Sequence, residues 1–152
     1  MIGLIQRVSG ARVDIDGQNV AEIGLGLLVL VGIERGDGPN EARKLAARLT
    51  AYRVFPDDLG KMNRSVGEVG GAVLLVPQFT LAADTSSGLR PSFSRAAPPA
   101  LGAALFDALV AAVAATNIPH ACGRFAADMQ VTLTNDGPVT FWLQAPPPRP
   151  AE

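Results

Sequence analysis

Histidine and cysteine each occur only once in this 152-residue chain. The single cysteine, Cys122, permits no disulfide within the chain, and with His120 it supplies too few ligands for a zinc site of Cys/His type. His120 is also the one imidazole available as base for a serine or threonine nucleophile, and no acid stands beside it in "NIPHACG". We therefore expect no metal site and no hydrolytic triad.

Patterns that hold cofactors or general acids are missing as well. The chain has neither a GxGxxG pattern nor a P-loop, so no cofactor is predicted. Asp84, Asp128 and Asp136 are isolated from one another in sequence, which leaves no paired carboxylates for acid–base catalysis. If the protein is an enzyme, it is expected to work with backbone groups and not with an activated side chain.

Membrane and bulk nucleic-acid functions are disfavoured by charge and hydrophobicity. The formal net charge is −1, which argues against sequence-indifferent attraction to nucleic acid, although local arginines can still contact phosphates. The apolar runs are too short to span a bilayer. The chain opens into strand-like "MIGLIQRV" with no signal-peptide pattern, so we expect a cytoplasmic protein.

The patterns that are present predict one α/β domain. An amphipathic helix starts at Pro39, with its apolar stripe running to Tyr52. A second helix is predicted over about 98–116, and its buried face carries Leu101, Leu105, Leu109 and Val113. Between and around them lie seven or more short strands, among them buried "LLVLVGI" and "AVLLVPQFTL". Two main helices and mixed, largely antiparallel sheets predict an α+β-like domain with three layers, β/β/α, over residues 1–145.

Three features of the chain path are predicted more locally. Residues 11–23 form a hairpin that turns at Asp16-Gly17, and "LTNDGPVTFWL" (133–143) is predicted to be a second hairpin. Pro77 is expected at a strand edge or a strand end, because proline cannot donate to a sheet. The proline-rich segment 146–152 is predicted to be a disordered tail.

Candidate chemistry lies where polar or unusual residues interrupt apolar strands, in "VPQFTLAAD", "GRFAADMQV" and "NDGPVT". Taken singly, each residue has an ordinary structural interpretation. Together with "MIGLIQRV", "GKMN", "RPSFS" and "NDGPVTFWL", in this order and spacing, they resemble the D-aminoacyl-tRNA deacylase family. The resemblance covers residues 1–144.

The resemblance implies hydrolysis of the ester between a D-amino acid, or glycine mischarged on tRNA(Ala), and the terminal ribose of tRNA. It implies a homodimer in which a cis Gly137-Pro138 peptide enters the partner's site and excludes L-amino acids. N–H donation falls to Gln78 and Phe79. Walls and positioning fall to Phe79 and Met129, and Thr80 contributes a hydroxyl without being the nucleophile.

One residue departs from the family pattern. Pro77 stands where the family usually has serine, and proline there is also a feature of a sister family that removes L-alanine from mischarged tRNA. Two further functions fit the sequence, namely a non-catalytic RNA-end binding module and a tRNA-independent esterase for small D-amino-acid derivatives. Candidate phosphate contacts are five basic residues, each equally well explained as surface: Arg7, Lys61, Arg64, Arg90 and Arg95.

Overall fold

A computed structural model describes residues 1–146. The predicted tail therefore lies, apart from Pro146, outside the described residues. These 146 residues form eight strands and two α-helices, and the strands fall into a six-stranded sheet and a separate two-stranded one. The strands are β1 (Ile2–Ile15), β2 (Gln18–Ile23), β3 (Gly26–Gly32), β4 (Phe55–Pro56), β5 (Met62–Arg64), β6 (Ala72–Pro77), β7 (His120–Cys122) and β8 (Gln130–Gln144).

The 14-residue strand β1 organises the large sheet. Its first half pairs with β3, its second half pairs with β2, and β8 runs antiparallel along both halves. Parallel strands β6 and β7 extend the sheet beyond β3. The register of β1 against β8 shifts between Gln6 and Gly10, so the two halves of the sheet meet at an irregular stretch of β1.

Two separate hydrophobic cores show how these elements are layered. One core joins the first half of the sheet to the helices through residues such as Ile5, Leu45 and Leu109. The other joins the two halves of the sheet through residues such as Val13 and Leu74. Two cores require three layers, so the predicted β/β/α arrangement is confirmed.

Both predicted helices are present. Helix α1 (Pro39–Ala51) begins at the expected proline and buries the apolar stripe, since successive turns of its sequence present Leu45 and Leu49 to the core. Helix α2 (Pro99–Ala114) buries Leu105, Leu109 and Val113 as predicted, together with Phe106. The prediction that Leu101 is buried is wrong, since it is 40% exposed in the first turn, beyond the edge of the core.

The hairpin predicted for 133–143 is wrong. Residues 130–144 form the one strand β8, whose two halves pair with β1 and not with each other. The "NDGPVT" stretch is a bulge in this long strand, placed opposite Arg7. Alternation of apolar residues is the same in both arrangements, so it cannot identify the partner strand. The hairpin at Asp16-Gly17 is confirmed, with Ile15 opposite Gln18.

Within residues 1–146, no helix is long and apolar enough to cross a membrane.

Candidate functional site

The site begins where β6 ends. Pro77 is the last residue of that strand, opposite Val31 of β3, which confirms its predicted place at a strand end. The next residue, Gln78, donates its N–H to the Val31 carbonyl at 2.8 Å. The chain then turns through a short 3-10 helix, Phe79–Ala82, so the residues after the strand leave the sheet.

An apolar cavity of about 500 Å³ adjoins this turn. It brings together four of the predicted site residues, Pro77, Gln78, Phe79 and Met129. Its remaining lining residues come from the β6 end, the start of α2 and the segment before β8: Val76, Ala97, Pro99, Phe125, Ala126, Ala127 and Val131. The other three predicted site residues, Thr80, Gly137 and Pro138, do not line it.

Two backbone N–H groups are available in the turn that follows β6. Within residues 1–146, the N–H groups of Phe79 and Thr80 donate to no backbone or side-chain acceptor. Of the expected donors Gln78 and Phe79, the Gln78 N–H is already bound to Val31, whereas the Phe79 N–H has no acceptor in the described part of the chain. Two adjacent free donors at the start of a turn are suited to a developing negative charge.

Thr80 lacks the partner that would make its hydroxyl a nucleophile. Its hydroxyl accepts a hydrogen bond from the Gln78 side-chain amide. His120 lies exposed on β7, where its Nδ1 contacts the Ile118 carbonyl at 3.3 Å. No ionisable side chain is among the described residues that line the cavity. The site therefore offers donors and shape, with no general base of its own.

Two large side chains of the cavity rest against glycines. A Cβ added to Gly123 would lie 2.8 Å from the Met129 sulfur, and one added to Gly102 would lie 2.9 Å from Cζ of Phe125. Real Cβ atoms essentially never come so close, so each glycine permits the observed position of its neighbour. Gly123 and Gly102 lie on different elements, after β7 and in α2, so the cavity walls are set by packing across the fold.

The turn that carries Phe125 is held in a costly conformation. The Ala127 N–H donates to the Arg124 carbonyl at 3.3 Å, which closes the turn. Within it Ala126 has φ 62°, a left-handed conformation that costs an alanine roughly 1–2 kcal/mol. This strain lies in a residue that lines the cavity, which is where strained residues commonly occur.

A loop from Ala83 to Pro98 borders the cavity. Phe93 on this loop packs against Phe79, with ring centroids 5.1 Å apart. The loop is closed by paired backbone hydrogen bonds between Asp84 and Ser92, of 2.7 and 3.0 Å. Hydrogen bonds from Ser86, with the nearby Arg95 guanidinium, lower the pKa of the Asp84 carboxyl. The hydrogen bonds between Asp84 and Ser92 hold the loop in a position that keeps Phe93 packed against Phe79.

The bulge of β8 forms a second, polar feature. Its Gly137-Pro138 peptide bond is cis, and both residues are exposed. The Arg7 guanidinium donates to the Val54 carbonyl at 2.7 Å and the Asp136 carbonyl at 3.2 Å, and pairs with the Asp136 carboxylate at 3.3 Å. The Asn135 amide donates to the carbonyls of Arg7 and Val139, which closes the base of the bulge.

Comparison with known proteins identifies the family. The model of the family described as D-Tyr-tRNA(Tyr) deacylase matches residues 4–144. The chain belongs to this family. A D-aminoacyl-tRNA deacylase of Alkalilimnicola ehrlichii is 58% identical over 147 residues, which are 97% of this chain and 98% of the relative. The resemblance noted in the sequence is confirmed.

Solved structures agree on the fold. The c-Myc DNA unwinding element binding protein is 33% identical, with a TM-score of 0.91 over 96% of this chain and 99% of its own. A probable eukaryotic D-amino acid tRNA deacylase has a TM-score of 0.79 over 93% of this chain and 97% of its own. At 16% identity the second likeness shows the fold alone.

Some residues of the site carry no signal in the sequence. Phe125 lies inside the candidate stretch "GRFAADMQV", yet nothing in the sequence marks it as a wall. Gly102 gives no signal, because a glycine in a helix has many explanations. Arg7, an expected candidate for phosphate contact, is instead bound within the protein and its side chain is only 12% exposed.

The remaining basic candidates are divided by their partners. Arg64 pairs with Asp58 at 2.9 Å and Arg95 with Asp84 at 3.5 Å. Among residues 1–146, no ion pair involves Lys61 or Arg90. In the same described part, no three His, Cys, Asp or Glu side chains are grouped so that they could hold a metal ion.

Proposed function

We propose that this chain hydrolyses the ester that joins a D-amino acid to the terminal ribose of tRNA, releasing the amino acid and free tRNA. The observation that carries the proposal is the pair of free N–H groups on Phe79 and Thr80 beside an apolar cavity without ionisable groups. Membership of the family, whose curated relatives are named for this reaction, supplies the substrate class.

The reaction suits such a site because an aminoacyl ester is intrinsically labile. Water attacks the carbonyl carbon of the ester. The carbonyl oxygen becomes an oxyanion that accepts hydrogen bonds from the N–H groups of Phe79 and Thr80, and the ribose oxygen then leaves. Removing one oxyanion donor typically costs about 100-fold to 1000-fold in rate, so two donors and correct placement account for a large acceleration. We assign assistance in proton transfer to the neighbouring ribose hydroxyl of the substrate. Thr80 contributes its N–H, and its hydroxyl orients Gln78.

Selectivity is assigned to Gly137-Pro138 of a partner subunit. These residues are exposed and do not line the cavity of their own chain. In a twofold dimer each bulge would enter the other subunit's site, where main chain would block an L side chain and admit a D side chain or glycine. The same logic extends the substrates to glycine mischarged on tRNA(Ala).

An exposed apolar face supports the dimer. Leu4 pairs with Leu30 on one side and with Trp142 on the other, so the three side chains share the sheet face opposite the helices. Trp142 is 51% exposed. Pro138 lies four residues before Trp142 on the same strand, so a second copy packed on this face would receive the bulge at the edge of the contact.

Deacylation assays on matched substrates test the reaction. We expect release of D-tyrosine from D-tyrosyl-tRNA and of glycine from glycyl-tRNA(Ala), with or without EDTA, and negligible release from L-tyrosyl-tRNA. Turnover of D-tyrosine methyl ester at the same rate would favour the tRNA-independent esterase. Binding without turnover would favour the RNA-end binding module. Hydrolysis of L-alanyl-tRNA as fast as the D form would favour the sister family, a candidate because of Pro77.

A mixing experiment tests the shared site. One variant carries Met129→Ala in the cavity and the second carries Pro138→Ala in the bulge, and each homodimer is expected to be impaired. In each hybrid dimer, one of the two sites combines a native cavity with a native bulge. Each hybrid is therefore expected to have about half of the wild-type activity. A mixture no more active than the sum of its parts, or an active monomer in sedimentation, would contradict the proposal.

A further inference from the structure

The cavity is bounded on one side by helix α2, and the contact there leaves no room for a side chain on the helix. Phe125 lies on the cavity lining and presents the far end of its ring to Gly102 of α2. A Cβ on Gly102 would lie 2.9 Å from Cζ and 3.4 Å from Cε2 of that ring. A side chain as small as a methyl group at position 102 would therefore displace the ring.

The direction of that displacement follows from what surrounds the ring. The helix backbone occupies one side, and the apolar cavity of about 500 Å³ occupies another. A phenylalanine ring tip is flexible relative to a helix backbone, so the ring would yield before the helix does. The space open to a displaced ring is therefore the cavity, which Met129 also lines, and the cavity would become narrower.

Glycine is also an unfavourable residue for this place in a helix. Gly102 is the fourth residue of α2, and its backbone N–H donates to the Pro98 carbonyl at 2.9 Å. Glycine within a helix is less favourable than alanine, so a residue chosen for helix stability alone would be alanine, as at Ala103 and Ala104 next to it. The space for Phe125 is the compensating advantage.

We infer that Gly102 is a positioning residue for the reaction: it holds the Phe125 ring against α2 and so keeps open the cavity that receives the aminoacyl end of the substrate. This inference rests on the proposed function for the identity of the substrate. It goes beyond that function in assigning a specificity-determining role to a helix residue that does not line the cavity. Substrate binding, and not the chemical step, depends on it.

The test compares Gly102→Ala in two backgrounds, with D-tyrosyl-tRNA as substrate. In the wild-type background we expect KM to rise about tenfold with kcat within about threefold, since the ring obstructs binding. In the Phe125→Leu background the ring tip is absent, and Gly102→Ala is expected to change KM less than about twofold. Equal rises in both backgrounds, or no rise in the first, would overturn the inference.

Thermal melting separates this role from a structural one. Gly102→Ala is expected to keep Tm at or above the wild-type value, because the gain in helix preference offsets the ring's displacement. The control Ala104→Gly lies on the exposed side of α2 and should lower Tm by about 2–4 °C without changing KM. A fall in Tm for Gly102→Ala together with a fall in kcat would mean simple misfolding and would overturn the inference.

A crystal structure of Gly102→Ala decides the geometry without reference to activity. The Phe125 ring should move into the cavity, and an unmoved ring beside a displaced helix would contradict the inference. If the wild-type protein fails to hydrolyse D-tyrosyl-tRNA, the proposed function fails. The position of the ring then decides the inference about Gly102 by itself.

Discussion

The cavity and the bulge of β8 are held in place in opposite ways. The cavity is apolar, and its walls Phe125 and Met129 are placed by close contact with glycines. The bulge is exposed and polar, and it is placed by directed hydrogen bonds from Arg7 and Asn135. Changes in volume should therefore disturb the cavity, and loss of donors should disturb the bulge.

The difference also bears on how complete each part is. The cavity is lined by residues that pack together within one chain, whereas Gly137 and Pro138 do not line that cavity and are exposed. Packing fixes the positions of the cavity walls within the subunit. Hydrogen bonding holds the bulge of β8 as a rigid projection, whose proposed function depends on contact with a partner subunit.

The largest effect is expected from Arg7→Ala, which removes the contacts to Val54 and Asp136 together. The Arg7 side chain is only 12% exposed, so we expect a loss of about 2–4 kcal/mol in the free energy of unfolding. Misplacement of the bulge should lower kcat/KM for D-tyrosyl-tRNA at least ~100-fold. Urea denaturation and deacylation assays measure the two effects.

Arg7→Lys sharpens the same comparison. Lysine keeps the charge but has a single ammonium, which cannot span both carbonyls as the guanidinium does. We expect most of the activity loss to remain while part of the stability returns. Full activity in Arg7→Lys would show that charge alone positions the bulge.

A volume change in the cavity is expected to have the next largest effect. Gly123→Ala brings a Cβ to 2.8 Å from the Met129 sulfur and 3.6 Å from Pro77. Since a thioether can move, we expect a loss of about 1 kcal/mol in stability and a rise of about tenfold in KM. Gly24→Ala is the matched control, because no atom lies within 4 Å of a Cβ there. Equal KM values for the two variants would contradict the packing argument.

A smaller effect on turnover is expected from substitutions of Thr80. Thr80→Ala and Thr80→Ser should keep turnover within about tenfold of wild type, since no base activates the hydroxyl and the N–H donor is retained. Deacylation of D-tyrosyl-tRNA under single-turnover conditions measures this. Complete inactivity of Thr80→Ala with binding intact, and an acyl-enzyme trapped on the wild type, would show that Thr80 is the nucleophile.

Relief of backbone strain should act on stability alone. Ala126→Gly is expected to raise the free energy of unfolding by about 0.5–1 kcal/mol, since glycine adopts φ 62° without a steric penalty. Ala127→Gly is the control, and it should lower stability because its φ is not in the left-handed region. Chemical denaturation of both variants measures these changes. A change in the free energy of unfolding of the same sign in both variants would show that Ala126 is not strained.

The smallest effect is expected in the pH dependence of stability, through Asp84 in the loop beside the cavity. Hydrogen bonds from Ser86 hold the pKa of Asp84 below its ordinary value, so the folded state favours the charged form. Its contribution is present above the unfolded pKa, about 4, and is lost as pH falls through the lower folded value. Wild type should therefore exceed Asp84→Asn in stability at about pH 6, and the difference should shrink by about pH 3. A constant difference would exclude this linkage.

Local features of the fold were predictable because their causes are local. The stripe of α1 and the Asp16-Gly17 turn each depend on residues within a few positions, and both are confirmed. The partner of β8 was not predictable, since alternation fits a hairpin as well as pairing with β1. Spacing alone places Leu101 in the core, although its turn of α2 extends past the core.

By itself the sequence determined the fold class, the family and that Pro77 lies at a strand edge or a strand end, because periodicity, turn residues and ordered motifs are local properties of the chain. Only the tertiary structure decided that Phe79 and Thr80, and not Gln78, have free N–H groups, and that Gly102 supports the wall formed by Phe125. Those facts depend on which atoms meet across β3, β6 and α2. Contacts between residues far apart in sequence have no local pattern, so they emerge only when the layers pack.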